Sequence, residues 1–385
     1  MEISQSVFTA NDPPHFENPR QALASQLVLA FGSTALLGDS ANFFAIRKAF
    51  PDAMIVGCST AGEIEGTNVR DETLVVTVVN FERTGLQLAK ATIQASSQSY
   101  ATGQRLAKSL PTLDLAHVLV FSDGLRVNGT ALVRGMKDSL PPMVEVTGGL
   151  AADGANFQKT LVCANDVPTD GQVVAVGLYG QSIKIGYGSL GGWDPFGPER
   201  QITRSEGNVL FDLDRQPALA LYKRYLGDQV AGLPATGLLF PLALRYPESS
   251  GAAPQSNGGV VRTILGIDEA NNSMTFAGDM PEGGHVRLMK ANFDRLIDGA
   301  SQAARLSTQS LHNKSARLAL LVSCVGRKLV LKQRIDEEIE GVREVLGDDT
   351  ILAGFYSYGE ISPHMAGDSC ELHNQTMTIT TFLED

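Results

Sequence analysis

The sequence predicts a mixed fold, α/β with α+β character, in two related halves, each a mixed sheet with flanking helices. A repeated segment is the first reason. GlyCysSerThrAlaGlyGluIle at 57–64 and GlyPheTyrSerTyrGlyGluIle at 354–361 share the leading Gly, a Ser (Ser59 and Ser357) and the closing GlyGluIle. Each follows an apolar run, AlaMetIleVal at 53–56 and ThrIleLeuAla at 350–353. The second reason is that short runs rich in Val and Ile alternate with segments of helical period. Length is the third: 385 residues exceed what one core usually serves, so two domains are expected.

Strands are expected at 26–31, 53–57, 74–81, 117–121 and 172–178, where apolar residues cluster in runs of strand length. Helices fit between them. They are 40–50, opened by Ser40; 99–109, from Ser99 to Ser109; and 128–140, opened by the cap residue Asn128. Apolar strands with intervening helices indicate sheets buried on at least one face. In the second half, 214–226 reads as a helix. Strands at 236–243 and 259–267 flank the polar loop 245–260, which is full of Gly, Pro and Ser. Helix 286–308, strand 316–323, helix 334–346 and strands 350–355 and 374–382 follow. Ile335, Ile339, Val342 and Leu346 give the 334–346 helix one buried stripe. The expected division is an N-terminal extension 1–24 and domains 25–205 and 206–385, with the break after the GlyTrpAspPro turn.

A net charge of −11 and a pI near 5.1 disfavour nucleic acid as a partner, and no Lys/Arg cluster offsets them. Cys58, Cys163, Cys324 and Cys370 form no CxxC pair, which argues against a zinc site or a disulfide framework. The first residues lack a basic stretch followed by an apolar core, and no run approaches the roughly 20 apolar residues of a membrane span. A cytoplasmic protein without membrane contact is expected, with a homodimer as the base-rate assembly.

The chemistry gathers at three strand-end turns. Besides Glu63 and Glu360, GlyGlyLeuAlaAlaAspGly at 148–154 follows the apolar MetValGluVal at 143–146 and presents Asp153. Glycine lets backbone N–H groups approach a ligand closely. Carboxylates beside such donors suit a small amino-acid-like or carboxylated ligand, in a pocket formed at the turns. Its expected lining is Ser59, Glu63, Asp153, Arg327, Tyr358 and Glu360. Arg327 ends the strand LeuAlaLeuLeuValSer and offers a bidentate fork to an acid, or a salt bridge to a nearby Glu. In the plainer reading the acidic residues only tie the N–H groups of their own turns.

GlyTyrGlySerLeuGly at 186–191 fits GxGxxG, yet it leads into Trp193, Asp194, Pro195 and Pro198 and not into a helix. It therefore reads as a turn and not as a dinucleotide site. GlyCysSerThrAla at 57–61 has the look of a nucleophile elbow with no His close in sequence. Cys58 or Cys324 with His373 would make a thiol–imidazole pair, so a Cys-dependent enzyme is one alternative. Buried Cys acting as a small apolar group is the other reading. No catalytic residues and no enzymatic activity are expected.

None of the six histidines lies in an HxxxH or HExxH pattern, but haem needs only one protein ligand. His373 alternates with Gln375, Met377 and Ile379 on one face of an expected strand, as a core residue or a ligand-facing one. His364 follows Pro363 on a loop near the Glu360 turn. His285 follows GlyGly at the expected start of a helix, where the dipole favours a neutral ring able to bind a metal.

Together these segments make the chain similar to the FIST sensory domain family (F-box and intracellular signal transduction). The resemblance is carried by 57–64, PheSerAspGly at 121–124, 148–154, SerCysValGlyArg at 323–327, 354–361 and LeuHisAsnGlnThr at 372–376. It runs from about residue 25 to the end. It implies a ligand-binding sensor of signal transduction, and the absence of an output module implies signalling through a partner. By similarity to free-standing bacterial members that look like nitric-oxide-sensing haem proteins, it implies a haem cofactor, a gas response and regulation of a partner histidine kinase. His373 is then the first choice of axial ligand and metal contact, followed by His285 and His364. A carboxylated ligand without haem remains the alternative.

Overall fold

Each of the apolar runs near residues 27, 117 and 318 becomes the central strand of a sheet with the same plan. The computed structural model describes residues 1–16, 25–247, 260–311 and 314–385. His312 and nearly all of the expected 245–260 loop lie outside the described residues.

The first unit comprises β1 (Glu2–Phe8), β2 (Ser25–Gly32), α1 (Thr34–Gly38), α2 (Ser40–Ala49) and β3 (Met54–Ser59), then β4 (Glu63–Glu65), β5 (Asn68–Arg70) and β6 (Leu74–Phe81). Asp39 caps α2 by accepting from Ala41 N, so Ser40 is the first helical residue and not the cap. The second unit comprises β7 (Gly85–Thr92), α3 (Ser99–Lys108), β8 (Leu115–Ser122), α4 (Gly129–Lys137), β9 (Glu145–Leu150), β10 (Val162–Ala164) and β11 (Gln172–Tyr179). The Asn128 side chain caps α4 through Ala131 N, as its position promised.

The third unit opens with β12 (Ile183–Leu190). An insert follows: β13 (Trp193–Glu206), β14 (Val209–Leu213), β15 (Gln216–Pro217), α5 (Ala218–Leu226), β16 (Leu242–Arg245), β17 (Val260–Arg262), β18 (Ile264–Asp268), β19 (Ser273–Phe276) and β20 (His285–Ala291). The unit resumes with α6 (Phe293–Gln309), β21 (Leu318–Cys324), α7 (Val325–Leu331), α8 (Ile335–Leu346), β22 (Ile351–Ser357), β23 (Gly359–Ser362), β24 (Glu371–His373) and β25 (Met377–Glu384). This is the mixed α/β architecture of two related halves. The first half holds two copies of the unit and β12, the opening strand of a third; the second holds the rest of that third copy, with an inserted antiparallel sheet around α5.

The three sheets run β1-β6-β2-β3-β10, β7-β11-β8-β9-β23-β24 and β12-β25-β21-β22-β4-β5. In each, a helical crossover joins the central parallel pair (β2/β3, β8/β9, β21/β22), as parallel strands require. In each, the last strand comes from another unit: β4 of the first joins β22, β23 of the third joins β9, and β10 of the second joins β3. The exchange closes in a circle.

A glycine occupies the same register position in each parallel pair: Gly57 opposite Ala30, Gly148 opposite Val120, and Gly354 opposite Leu321. A Cβ there would lie 1.8, 1.9 and 1.9 Å from the carbonyl oxygen of that partner. One phenylalanine per unit fills the space where the units converge. Phe31, Phe121 and Phe355 have ring centroids 4.6 to 6.1 Å apart, and all three are fully buried.

Several expectations change. The start of the expected 286–308 helix is strand β20, and the helix begins at Phe293, where Asn292 accepts from Arg295 N. The expected 374–382 strand breaks at Gln375, whose φ is 63°, so β24 and β25 lie in different sheets and His373 does not share a face with Met377 and Ile379. The 186–191 glycines sit mainly in β12, where a Cβ on Gly186 would meet Ser307 O at 1.8 Å; they allow α6 to pack closely. The expected break at 205/206 falls at the end of β13, beside its hairpin with β14. Among the described residues no helix is long and apolar enough to cross a membrane.

Candidate functional site

The circular exchange brings the three strand-end turns into mutual contact. Ala152 N donates to Ser59 O at 2.8 Å, Ala61 N to Tyr356 O at 2.8 Å, and Tyr358 N to Leu150 O at 3.3 Å. The carboxylates nevertheless serve their own turns. Glu63 accepts from the Thr60 hydroxyl and from Thr73 Oγ1 (2.6 Å) and N (3.3 Å). Glu360 repeats this with Ser357 Oγ (2.7 Å) and Thr376 Oγ1 (3.0 Å) and N (3.1 Å). The counterpart of Ser357 is thus Thr60, not Ser59, whose hydroxyl accepts from Leu161 N at 2.9 Å.

Asp153 is not a third copy. Counted from the register glycine it falls at the position of Gly62 and Gly359, and it holds the N–H groups of Phe157, Gln158 and Lys159. Tyr358 donates to Asp153 and stacks on Phe157 with ring centroids 4.7 Å apart. Arg327 and Glu338 form a fully buried ion pair, and Arg327 also donates to the carbonyls of Leu296 (2.7 Å) and Gly191 (3.2 Å). None of Ser59, Glu63, Asp153, Arg327, Tyr358 and Glu360 lines the cavities of about 20 and 230 Å³ found among the described residues. Buried polar groups need partners, and these find theirs inside the protein: Glu63 and Glu360 in their own turns and at Thr73 and Thr376, and Arg327 at Glu338 on α8, while phenylalanines fill the centre.

Burial pushes the Glu63 carboxyl up to about 7, against the Thr60 and Thr73 hydrogen bonds, and Glu360 up to about 8, against those from Ser357 and Thr376. Acids whose folded values are raised stabilise fully below their ordinary value of 4.5 and lose that contribution as pH rises through 7 and 8. Stability should fall over that window by on the order of 3 kcal/mol for Glu63 and about 5 kcal/mol for Glu360. Denaturant midpoints against pH check this: Glu63→Gln with Glu360→Gln should flatten the slope, and an unaltered slope refutes the assignment.

Two of the three candidate histidines, His364 and His373, are neighbours, and His285 lies apart from them on β20. His373 is buried, its Nε2 2.8 Å from Ser362 O, and burial lowers its pKa to about 4. His364 lies 6.3 Å away, ring to ring, and His285 sits on β20 opposite Gln201 and Arg245 rather than at a helix start. Two cavities among the described residues, of about 20 and 230 Å³, are lined by none of the three. Ligand pockets for drug-sized molecules run about 300–1,000 Å³, and haem is larger than most such molecules. His373, His364 and His285 therefore converge on neither cavity. No cluster of metal-ligating side chains occurs among the described residues.

All four cysteines are buried, and burial pushes Cys58 and Cys324 up and Cys163 up to about 12, the opposite of what a thiolate nucleophile needs. Among the described residues neither Cys58 nor Cys324 hydrogen-bonds His373, whose ring nitrogen meets Ser362 O, so the alternative thiol–imidazole pair is not formed.

The larger cavity lies elsewhere, between α4, β17 and the chain leading into β24. Thr130, Arg134 and Lys137 face it at helical spacing, and Arg262 lines it from β17. Arg262 is fully buried. It donates to Tyr246 OH (2.8 Å), Leu372 O (2.9 Å), Thr130 Oγ1 (3.4 Å) and Asp279 O (3.4 Å). Among the described residues no carboxylate lies within 4.0 Å of it, whereas Lys137 pairs with Glu145 at 2.9 Å. Sequence reading missed this arginine. Its signal was a charge at an inward position of a strand, between Val260 and Ile264.

The FIST N domain model matches residues 26–216 and the FIST C domain model residues 218–363. An uncharacterized protein of Methanocaldococcus jannaschii is 24% identical over 367 residues, covering 86% of this chain and 68% of its own length. The crystal structure of a cyanuric acid hydrolase from A. caulinodans is similar over 100% of this chain and 98% of its own, with 8% identity and a TM-score of 0.35. A likeness at this level shows neither an activity nor the absence of one, and the expectation of a non-enzymatic protein is withdrawn. FIST domains are sensor domains of signal transduction, and with both of them matched along its length the chain belongs to the FIST family.

Proposed function

We propose that the protein is a cytoplasmic sensor whose small ligand seats in the cavity beside α4, and whose bound state is read by a partner protein. A histidine kinase is the partner class in keeping with the family resemblance. The supporting observation is placement: α4 belongs to the FIST N domain and β17 to the FIST C domain, so one bound molecule touches both. A ligand shifts a conformational equilibrium only through contacts that differ between its states, and a molecule bridging two parts is placed to make such contacts. The volume of about 230 Å³ admits a metabolite of few heavy atoms.

Ser369 lines the cavity and is exposed, so Ser369→Trp obstructs it without disturbing the core. A thermal-shift screen of neutral, cationic and anionic metabolites should find a compound that stabilises the unaltered chain and loses its effect in Ser369→Trp. A compound that stabilises both alike overturns the placement.

A further inference from the structure

Arg262 is a buried cation whose hydrogen-bond acceptors among the described residues are all neutral. Its guanidinium carries five N–H donors, and the four hydrogen bonds described leave one donor on Nη1 without an acceptor among the described residues. Two of those four bonds are 3.4 Å long. A buried charge is ordinarily paired, because taking it out of water costs several kcal/mol. The same chain shows the ordinary solution at Arg327, which is equally buried and held by Glu338. What separates the two arginines is that Arg262 opens onto the cavity.

The surrounding charges add to the field. Arg134 lines the cavity with its guanidinium 5.3 Å from the Tyr100 ring, and it makes no ion pair among the described residues. Asp138 and Glu371 also line the cavity. Asp138 accepts from Tyr100 OH at 2.8 Å, and burial pushes the Glu371 carboxyl up, with Arg262 opposing. Neither carboxylate comes within 4.0 Å of the Arg262 nitrogens.

We propose that Arg262 is the anchor of an anion-binding site, taking the carboxylate or phosphate group of a small ligand, with Arg134 supplying the outer positive charge. The planar fork of an arginine matches either oxyanion with two parallel hydrogen bonds. Tyr246 and Thr130, held by the same guanidinium, orient it. The inference rests on the cavity being the ligand site and specifies what that site recognises.

Titration calorimetry of the full chain with inorganic phosphate and succinate, and with succinamide as the neutral match, tests it. Succinate or phosphate should bind saturably and succinamide at least tenfold more weakly. Arg262→Lys should weaken the anion at least tenfold, because a lysine keeps the charge and loses the fork. Arg134→Gln, on the cavity rim, should weaken it several-fold with the fold intact by circular dichroism. Succinamide binding as tightly as succinate, lost in Ser369→Trp, would refute the anion specificity and leave the cavity as the site. Anion binding unaffected by Arg262→Lys and by Ser369→Trp would refute both.

Discussion

Gly148→Ala is expected to leave little folded protein. The added methyl would sit 1.9 Å from Val120 O, on backbone that is hydrogen-bonded on both sides, with φ at 144°. Neither strand can move aside without breaking the parallel pair that centres its sheet. The cost should exceed about 4 kcal/mol, the range reserved for the few mechanisms in which the native backbone itself is incompatible with the side chain. Gly57→Ala and Gly354→Ala meet the same obstacle at 1.8 and 1.9 Å and should behave alike. Gly66→Ala is the control. Its φ is 58° and nothing lies within 4 Å, so only the left-handed backbone penalty of roughly 1–2 kcal/mol applies. Chemical denaturation separates the cases; equal midpoints for Gly148→Ala and Gly66→Ala would show that the register glycines are not constrained by the crossing strand.

Glu338→Ala should destabilise by about 3–5 kcal/mol, because it leaves Arg327 charged and buried without its partner. Arg327 Nε donates to Glu338 Oε1 at 2.6 Å, and Tyr356 OH donates to Glu338 Oε2 at 2.8 Å, so one carboxylate joins α7, α8 and β22. Replacing both charges, as Arg327→Met with Glu338→Leu, should recover a large part of the loss, since apolar residues of similar volume often substitute for a buried pair. A double-mutant cycle reads the coupling. Strictly additive effects would mean that the two side chains do not depend on each other.

Much of the architecture was legible because apolar runs in this chain are short and well separated. Leu74–Phe81 matches its expected strand residue for residue, and Asn128 marked the start of α4. The His285–Ala291 strand was misread because its apolar residues also fit the amphipathic helix that follows. The turns were found, but spacing could not choose between their two readings, ligand contact and turn support. Glu63 and Glu360 look like ligand contacts in sequence, but Thr73 and Thr376, more than nine residues further on, complete their shells. Spacing alone cannot reveal such a partner. The cavity was invisible for the same reason. Thr130, Arg262 and Leu372 lie more than a hundred residues apart and meet only when the circle of strands closes.

That circle also bears on how a change at one place is felt at another. The boundary between the two family domains falls near residue 217, yet β4, β5 and β12 from before it pair in a sheet with β21, β22 and β25 from after it. Severed there, the first piece would carry three strands with no sheet to join, and the second would expose the bare edge of β22. The pieces would be complementary fragments, not independent modules. A displacement of α4 by a bound molecule would likewise have no seam at which to stop, because β9 is bonded to β23, whose own unit receives β4 from the first. Receiver and transmitter are the same woven body.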